Sequence, residues 1–246
     1  MRTLGITFGA AALSLVAGAV LADPTVAKAP KLCDGVYGAV SALTDYRFDG
    51  FSESNRAPTG QATFYCYRND GWFVGTTVTG VDFLDAPRTP FEADWYAGRQ
   101  LTLSKTWKLN LELLYASFPA KRAPGPSYDL VEPQAELIHT KGRLMVGAIA
   151  GWEDNVAGDG QEWHAKTEAS YQLAPWLSLS GHAGRFFAAS GGDHDHDHWD
   201  VGATATWKRA SLDLRYGGTD EPLDQCFYTD WCRPGAYATF TWRLAP

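Results

Sequence analysis

A run of alternating aspartate and histidine at residues 193–198 is the segment richest in potential metal ligands. It contains His194, His196 and His198, and spacing by two residues would place the three imidazoles on one side of an extended chain. Imidazole and carboxylate groups suit Zn²⁺, Ni²⁺ or Cu²⁺. The competing interpretation is a solvated polar loop that holds no metal. We favour it because no supporting scaffold is visible around the loop, and we expect no resident cofactor.

The four cysteines allow disulfides if the chain is exported to an oxidising compartment. Cys226 and Cys232 are close in sequence and predict a bridge that shapes the last long loop, with no catalytic implication. Cys33 and Cys66 could pair near one rim of the fold. However, Cys66 reads as an outward-facing residue within a strand, and this second pairing is left open.

The strand pattern described below predicts a membrane-spanning barrel, and a barrel that acts as a lipase or protease would need a rigid Ser/His or Asp/His site at its lipid face or outer rim. No Ser/His pair falls on the face that is predicted to point outward at membrane depth. The only concentration of acids and histidines is the 193–198 segment, which is expected to be too mobile for a preorganised site. The sequence therefore does not predict an enzyme.

Apolar and polar residues alternate repeatedly along the chain, and no helical period is sustained after the N-terminal segment. In residues 163–173, Trp163, Tyr171 and Leu173 share one face, whereas Lys166 and Glu168 lie on the other. Such alternation is typical of strands with two chemically different faces. About twelve strands are predicted, near residues 35–48, 60–68, 72–83, 91–103, 107–117, 128–139, 143–153, 162–173, 176–187, 198–208, 210–218 and 235–244.

The predicted connections alternate between short turns and longer loops rich in Gly, Pro and Asp. The longer loops lie near residues 49–59, 84–90, 118–127, 154–161, 188–197 and 219–234. Outer-membrane barrels have short periplasmic turns and longer outside loops, and an even strand count leaves both ends of the chain on the periplasmic side. The fold class predicted is an all-β, up-and-down antiparallel transmembrane β-barrel.

A soluble lipocalin-like barrel would instead turn the apolar face inward. Charges at mid-strand on the polar face favour a water-containing lumen. The predicted pore-lining residues are Asp45, Arg47, Glu92, Asp94, Glu112, Glu136, Lys166, Glu168, Asp213 and Arg215. Strand parity, that is, the alternation of inward and outward positions along a strand, also points Lys108, Glu132, Asp200 and Lys208 inward.

Aromatic residues at strand ends on the apolar face predict two girdles at the headgroup layers of a bilayer. One girdle would contain Trp72, Trp107, Tyr171, Trp207 and Trp242, and the other Tyr46, Phe83, Tyr115, Trp152, Trp163 and Tyr216.

The first residues of the chain are typical of an export signal. Arg2 precedes an apolar stretch from Leu4 to Leu21, and small residues at the end of this stretch predict cleavage before Asp23. The expected organisation is a signal peptide (1–22), an N-terminal periplasmic segment (23–34) and the outer-membrane barrel (35–246). The net charge of −7, without Lys/Arg clusters, argues against nucleic acid as a partner.

Residues 41–52, which contain the block Thr44-Asp45-Tyr46-Arg47-Phe48, resemble the opening strand of the TorF-type family of porins. The stretches 71–75, 81–83 and 92–98 and the Cys226…Cys232 loop resemble the same family in the same order. The resemblance implies a channel-like barrel in the outer membrane of a Gram-negative bacterium. It implies no particular solute and no catalytic residues.

Two functions follow from these expectations. The first is a porin that lets ions or small hydrophilic solutes diffuse through a charged lumen. The excess of carboxylates predicts a weak cation preference, unless the charges only pair with one another and stiffen the wall. The alternative is a non-conducting, surface-binding barrel whose His/Asp-rich outer loop binds a transition metal. The expected partners are outer-membrane lipid, the barrel-assembly machinery and small hydrophilic solutes.

Overall fold

A computed structural model describes residues 32–85, 88–119, 128–155, 161–188, 195–223, 226 and 229–244. The predicted signal peptide lies outside these residues. The strands in the first half of the chain are β1 (Gly35–Leu43), β2 (Arg47–Phe48), β3 (Phe51–Ser52), β4 (Thr59–Tyr67), β5 (Trp72–Gly80), β6 (Phe91–Thr102) and β7 (Trp107–Ser117). Those in the second half are β8 (Leu130–Lys141), β9 (Leu144–Asn155), β10 (Gln161–Ala174), β11 (Leu177–Ala188), β12 (His196–Trp207), β13 (Ala210–Thr219) and β14 (Gly235–Arg243).

Twelve of these strands form one closed antiparallel barrel, in which each strand pairs with its neighbours in the chain. The barrel closes where β1 pairs with β14, from Ala39 opposite Arg243 to Leu43 opposite Thr239. The predicted fold class is therefore confirmed. A closed sheet satisfies the backbone hydrogen bonds of every strand without leaving an open edge, which is the requirement for a sheet in lipid.

The connections lie in two groups at opposite ends of the barrel. We call the end with the tight connections, such as Arg68–Gly71 and Lys141–Leu144, the short-turn end, and the other the long-loop end. Gly71 illustrates the tightness of these turns. It has a φ of +93°, and a Cβ at this position would overlap the carbonyl oxygen of Gln100. Both ends of the barrel sheet lie at the short-turn end, as expected for an even number of strands.

The first predicted strand, 35–48, is too long. β1 ends at Leu43, and residues 44–58 leave the wall to form the small β2–β3 hairpin. Asp49, Asn55 and Arg56 adopt positive φ, a conformation that Asp and Asn accept more readily than most residues, so the chain can reverse direction here.

The outward face of the barrel is apolar, and aromatic residues lie near both ends. Trp72, Trp163 and Tyr216 are half exposed in the isolated chain. Two predicted girdle residues are exceptions. Tyr46 is buried inside the barrel, and Phe83 packs on Phe118, Tyr128 and Trp231 at the long-loop end. Among the described residues, no helix is long and apolar enough to span a membrane.

Both cysteine pairs form disulfides. The bridge between Cys226 and Cys232 is confirmed, with a Cα–Cα distance of 5.9 Å. Cys33 and Cys66 also pair, at a Cα–Cα distance of 5.4 Å, which resolves the question that the sequence left open. Asp34 extends the contact, since its backbone N–H donates to the Tyr67 carbonyl at 2.9 Å. The segment before β1 is thereby tied to β4 at the short-turn end.

Candidate functional site

The loop between β1 and β4, residues 44–58, folds into the barrel and is called the inward loop below. Asp45, Tyr46, Asp49, Ser52 and Ser54 are all at most 6% exposed. Burial of this degree on a connecting segment is unusual, because loops normally run over the protein surface. The inward loop therefore occupies part of the lumen at the long-loop end.

Asp45 organises the inward loop from within. It accepts hydrogen bonds from the Arg47 guanidinium at 2.7 Å and the Ser52 hydroxyl at 2.6 Å. The Ser54 hydroxyl also donates to Asp45, at 3.3 Å, and accepts the backbone N–H of Tyr46 at 2.8 Å. These short-range contacts fix the hairpin, so Asp45 and Arg47 reach the lumen through the loop and not through strand β1.

Asp49 connects the inward loop to strands β10 and β12 on the opposite side of the lumen. One carboxylate oxygen lies 3.2 Å from Lys166 Nζ on β10 and 3.5 Å from His198 Nδ1 on β12. Burial opposes ionisation of Asp49, but Lys166 and His198 outweigh it and lower the pKa of this carboxyl. The adjacent Gly50 has a φ of +96°, and a Cβ there would lie 2.9 Å from the Gly218 backbone. The loop tip thus fits closely against the wall.

The segment that follows β13 covers the inward loop. The Ser52 N–H donates to the Trp231 carbonyl at 3.1 Å, and Trp231 Nε1 donates to Asn55 Oδ1 at 2.9 Å. Arg56 donates to the backbone carbonyl of Asp230 at 3.0 Å. Because Trp231 lies within the ring closed by the Cys226–Cys232 disulfide, the bridge stiffens the cover that holds the inward loop in place.

A cavity of about 80 Å³ remains beside the inward loop. Asp45, Asp49, Lys166, Asp200, Arg215 and Tyr237 are among the residues that line it. A polar space of this size has room for a few water molecules.

Carboxylates dominate the inward face of strands β6–β10, which we call the carboxylate wall. One carboxylate oxygen of each of Glu92, Asp94, Glu136, Glu153 and Glu168 is buried without a hydrogen-bond partner. Glu136 and Glu168 lie within hydrogen-bonding reach of each other, as do Glu92 and Glu53 of the inward loop. Burial raises the pKa of Glu53 despite its contact with Glu92. The wall is thus acidic and incompletely satisfied.

The inward face of strands β12–β14, which we call the paired wall, contains carboxylates that are fully engaged. The Arg215 guanidinium binds Asp200, with Nε at 2.7 Å from Oδ2, and lies 3.4 Å from Asp213. Tyr237 donates to Asp200 at 2.8 Å, and Thr204 donates to Asp213 at 2.8 Å. These groups form a connected hydrogen-bond network.

Two groups of histidine and carboxylate side chains lie on the inward side of the barrel, and in each group the ligand atoms are within 4.8 Å of one another. The first combines Glu132, Glu153 and His164 from the adjacent strands β8, β9 and β10. The second combines Asp49 of the inward loop with His182 on β11 and His198 on β12.

Residues 29–243 match the profile of a family described as a bacterial protein of unknown function, Gcw_chp. The chain belongs to the Gcw_chp family. The match does not confirm the TorF-type name that the sequence resemblance suggested. No protein of curated function matches this Gcw_chp chain.

Solved porin and channel structures share the fold of the Gcw_chp barrel. A KdgM porin in complex with disordered oligogalacturonate has a TM-score of 0.58 at 8% identity, covering 85% of this chain and 98% of that one. A NanC porin has a TM-score of 0.57 at 9% identity, covering 84% and 98%. An outer-membrane channel from Pseudomonas putida F1 has a TM-score of 0.52 at 12% identity, covering 91% and 99%. At such low identities, these likenesses show the fold alone.

Most of the side chains predicted to line a pore lie on the inward side of the Gcw_chp barrel. Glu92, Asp94, Glu136, Lys166 and Asp213 are buried there, and Glu112, Glu168 and Arg215 are partly buried. Asp45 and Arg47 belong to the inward loop, as described above. Lys208, which the same parity added, lies exposed in the turn between β12 and β13 and not in the lumen. That the inward set lines a conducting pore stays a prediction.

The expected location of the histidines needs correction. His196 and His198 lie in β12 and are buried on its inward side, so neither belongs to a mobile outer loop. His196 packs on Phe186 and Phe51. His194 lies outside the described residues, and the predicted three-histidine metal site has therefore not been tested as a unit.

Sequence reasoning did not single out Asp49, Glu153 or His182 as site residues. Asp49 was assigned to an outside loop, and Glu153 stood at the last position of a predicted strand. His182 was one polar residue among many. Strand parity alone would have indicated the inward direction of Glu153 and His182, but not their neighbours, which depend on the register between strands.

Proposed function

We propose that this protein is an outer-membrane porin that passes ions or small hydrophilic solutes by passive diffusion through a charged lumen. The observation that carries the proposal is the opposite chemistry of the two faces of one closed sheet. The outward face is apolar with aromatic residues near both ends, whereas the inward face holds buried and partly buried charges. A bilayer outside and water inside would solvate both faces.

The inward loop sets the expected size of the pathway. It crosses the lumen from β1 to contact Lys166 on β10 and leaves a cavity of about 80 Å³ beside it. A narrow pathway with low conductance is therefore expected. The carboxylate wall would favour cations within it, because carboxylates concentrate and coordinate them.

The same proposal includes the route and the surroundings of the barrel. Export would use the N-terminal signal, insertion would use the barrel-assembly machinery, and the apolar belt would contact outer-membrane lipid. The short-turn end would then face the periplasm and the long-loop end the outside.

The decisive experiment is single-channel recording on the mature chain, refolded and inserted in a planar bilayer under a KCl gradient. We expect a small steady conductance and a reversal potential of the sign that cation preference gives. Replacing residues 45–57 with a short Gly/Ser linker should raise the conductance several-fold, because the inward loop would be gone. Lys105→Ala, in an exposed short turn, is the matched control and should leave the current unchanged.

A non-conducting, surface-binding barrel is the second candidate, and the filling of the lumen by the inward loop favours it. An inserted barrel that stays silent, with or without the inward loop, would exclude the porin and select this candidate. In its metal-binding version, zinc binding would disappear when His194, His196 and His198 are replaced by Ala.

A further inference from the structure

His164 presents a buried imidazole to two carboxylates. Its side chain is 1% exposed, and Nε2 lies 2.9 Å from Glu132 Oε1 but is not aligned for a hydrogen bond. Nδ1 also has no hydrogen-bond partner. Glu153 supplies the second carboxylate from β9, and one of its oxygens is buried and unpartnered. Polar groups that are buried in this way are costly unless something binds them.

The surrounding structure holds the imidazole in this position. Gly151 lies opposite His164 in the pairing of β9 with β10, and a Cβ at residue 151 would overlap Nε2. On the other side, the Phe186 ring stacks on the imidazole with a centroid distance of 5.4 Å. The three ligands come from adjacent, hydrogen-bonded strands, so the site is rigid before any ligand binds.

Among the described residues, no lysine or arginine side chain forms an ion pair with Glu132 or Glu153. Glu132 and Glu153 are two acids on paired strands, and the Lys166 ammonium, two residues along from His164, is engaged with Asp49 at 3.2 Å. A divalent cation would neutralise both carboxylates and use the unpartnered imidazole nitrogen. Neighbouring ligand atoms in a six-coordinate site with bonds of about 2.1 Å are roughly 3.0 Å apart, close to the observed His164–Glu132 separation.

We propose that Glu132, Glu153 and His164 form a binding site for a divalent first-row transition metal inside the barrel. One nitrogen and two carboxylate oxygens suit Zn²⁺ or Mn²⁺, and water would complete the coordination sphere. This site is distinct from the His194–His198 segment, and it can exist whether or not the barrel conducts.

The second histidine group provides an informative contrast. His182 Nδ1 lies 3.1 Å from Asp200, and His182 Nε2 is hydrogen-bonded to His198 Nδ1 at 3.2 Å. Asp49 is bound to Lys166 and the two imidazoles to each other, so that of these three residues only His198 keeps a buried ring nitrogen, Nε2, without a hydrogen-bond partner. Both ring nitrogens of His182 are engaged, and His182 therefore serves as the control.

The test uses the mature chain without a polyhistidine tag, refolded in detergent and titrated with Zn²⁺ and with Mn²⁺ by calorimetry at neutral pH. We expect one equivalent to bind. His164→Ala, Glu132→Gln and Glu153→Gln should each weaken binding by at least about tenfold, since even residues behind the ligands have effects of this size. His182→Ala should retain the site. The triple variant His194→Ala/His196→Ala/His198→Ala removes rings that pack on Phe186 but no ligand, so it should weaken binding less than His164→Ala does.

Folding of each variant is checked by circular dichroism and by the heat-dependent gel mobility of the barrel. If His164→Ala fails to fold, His164→Gln replaces it, and X-ray absorption of the zinc-loaded native chain provides a second measurement. A spectrum with one imidazole and oxygen ligands supports the site. Absence of stoichiometric binding, or binding lost only in the triple variant, overturns the proposal.

Discussion

The two walls of the lumen are built from similar residues but differ in how their charges are satisfied. On the paired wall, Arg215 binds Asp200 and Asp213, and Tyr237 completes the network. On the carboxylate wall, Glu136 and Glu168 lie beside each other, and each keeps a buried oxygen without a hydrogen-bond partner. The carboxylates of the paired wall thus have their oxygens engaged by Arg215, Tyr237 and Thr204, whereas the carboxylate wall keeps buried oxygens without a donor or a cation.

This difference gives the paired wall a structural role and leaves the carboxylate wall able to interact with cations. A buried ion network that is complete rigidifies the wall, and removing one member leaves uncompensated charge. Carboxylates that are left incompletely satisfied cost stability, and they can interact with mobile or bound cations. The inward loop contacts both sides, because Asp49 binds Lys166 while the Arg47 guanidinium lies 5.8 Å from the Tyr237 ring centre.

The largest effect is expected when the paired wall is broken. Arg215→Met should lower the free energy of unfolding by about 3–5 kcal/mol, because Asp200 and Asp213 would remain buried without their cation. Urea unfolding of the refolded barrel, followed by tryptophan fluorescence, measures this change.

Glu136→Gln is the matched substitution on the carboxylate wall. It removes a charge that has no basic partner bonded to it, so its effect should be within about 1 kcal/mol and of either sign. Equal destabilisation by the two substitutions would show that the walls do not differ as described.

The barrel could be predicted from the sequence because apolar and polar residues alternate in almost every strand. In β10, for example, Trp163, Thr167 and Tyr171 point outward, and His164 and Lys166 are buried. The prediction was wrong at residues 44–48, where alternation continues although the chain has left the wall. The alternation of Asp45 and Arg47 with Tyr46 and Phe48 fits a strand of the wall, but it fits equally well a hairpin whose apolar side chains are buried inside the barrel. Alternation alone therefore does not distinguish the two.

The proposed metal group could not be predicted, because its members are far apart in sequence. Glu132, Glu153 and His164 meet only through the register of β8, β9 and β10, which pairs His164 with Gly151. A shift by one residue would turn each side chain to the other face of the sheet. Local patterns specify the inward face, whereas the neighbours on that face follow from the closed barrel.

A smaller effect is expected on ion selectivity. Replacing Glu112, Glu136 and Glu168 with Gln should reduce the cation preference of the channel, because these carboxylates are not neutralised by bonded basic groups. The reversal potential under a KCl gradient should move toward zero. Asp213→Asn is the control, since Asp213 faces Arg215 and contributes little net field. A larger shift from Asp213→Asn than from the triple variant would contradict the distinction between the walls.

The smallest effect concerns the pH dependence of the Asp49–Lys166 contact that joins the inward loop to β10. Because Lys166 and His198 lower the pKa of Asp49, its stabilising contribution is present above the unfolded value, near 4, and is lost only as pH falls through the lower folded value. The difference in unfolding free energy between the native chain and Asp49→Asn should therefore be the same at pH 7 and at pH 4.5. Comparing this difference, and not the absolute stability, cancels the titration of the other carboxylates. A difference that vanishes by pH 4.5 would mean that the folded pKa of Asp49 is raised and not lowered, and that the inward loop is not anchored through the ionised carboxylate.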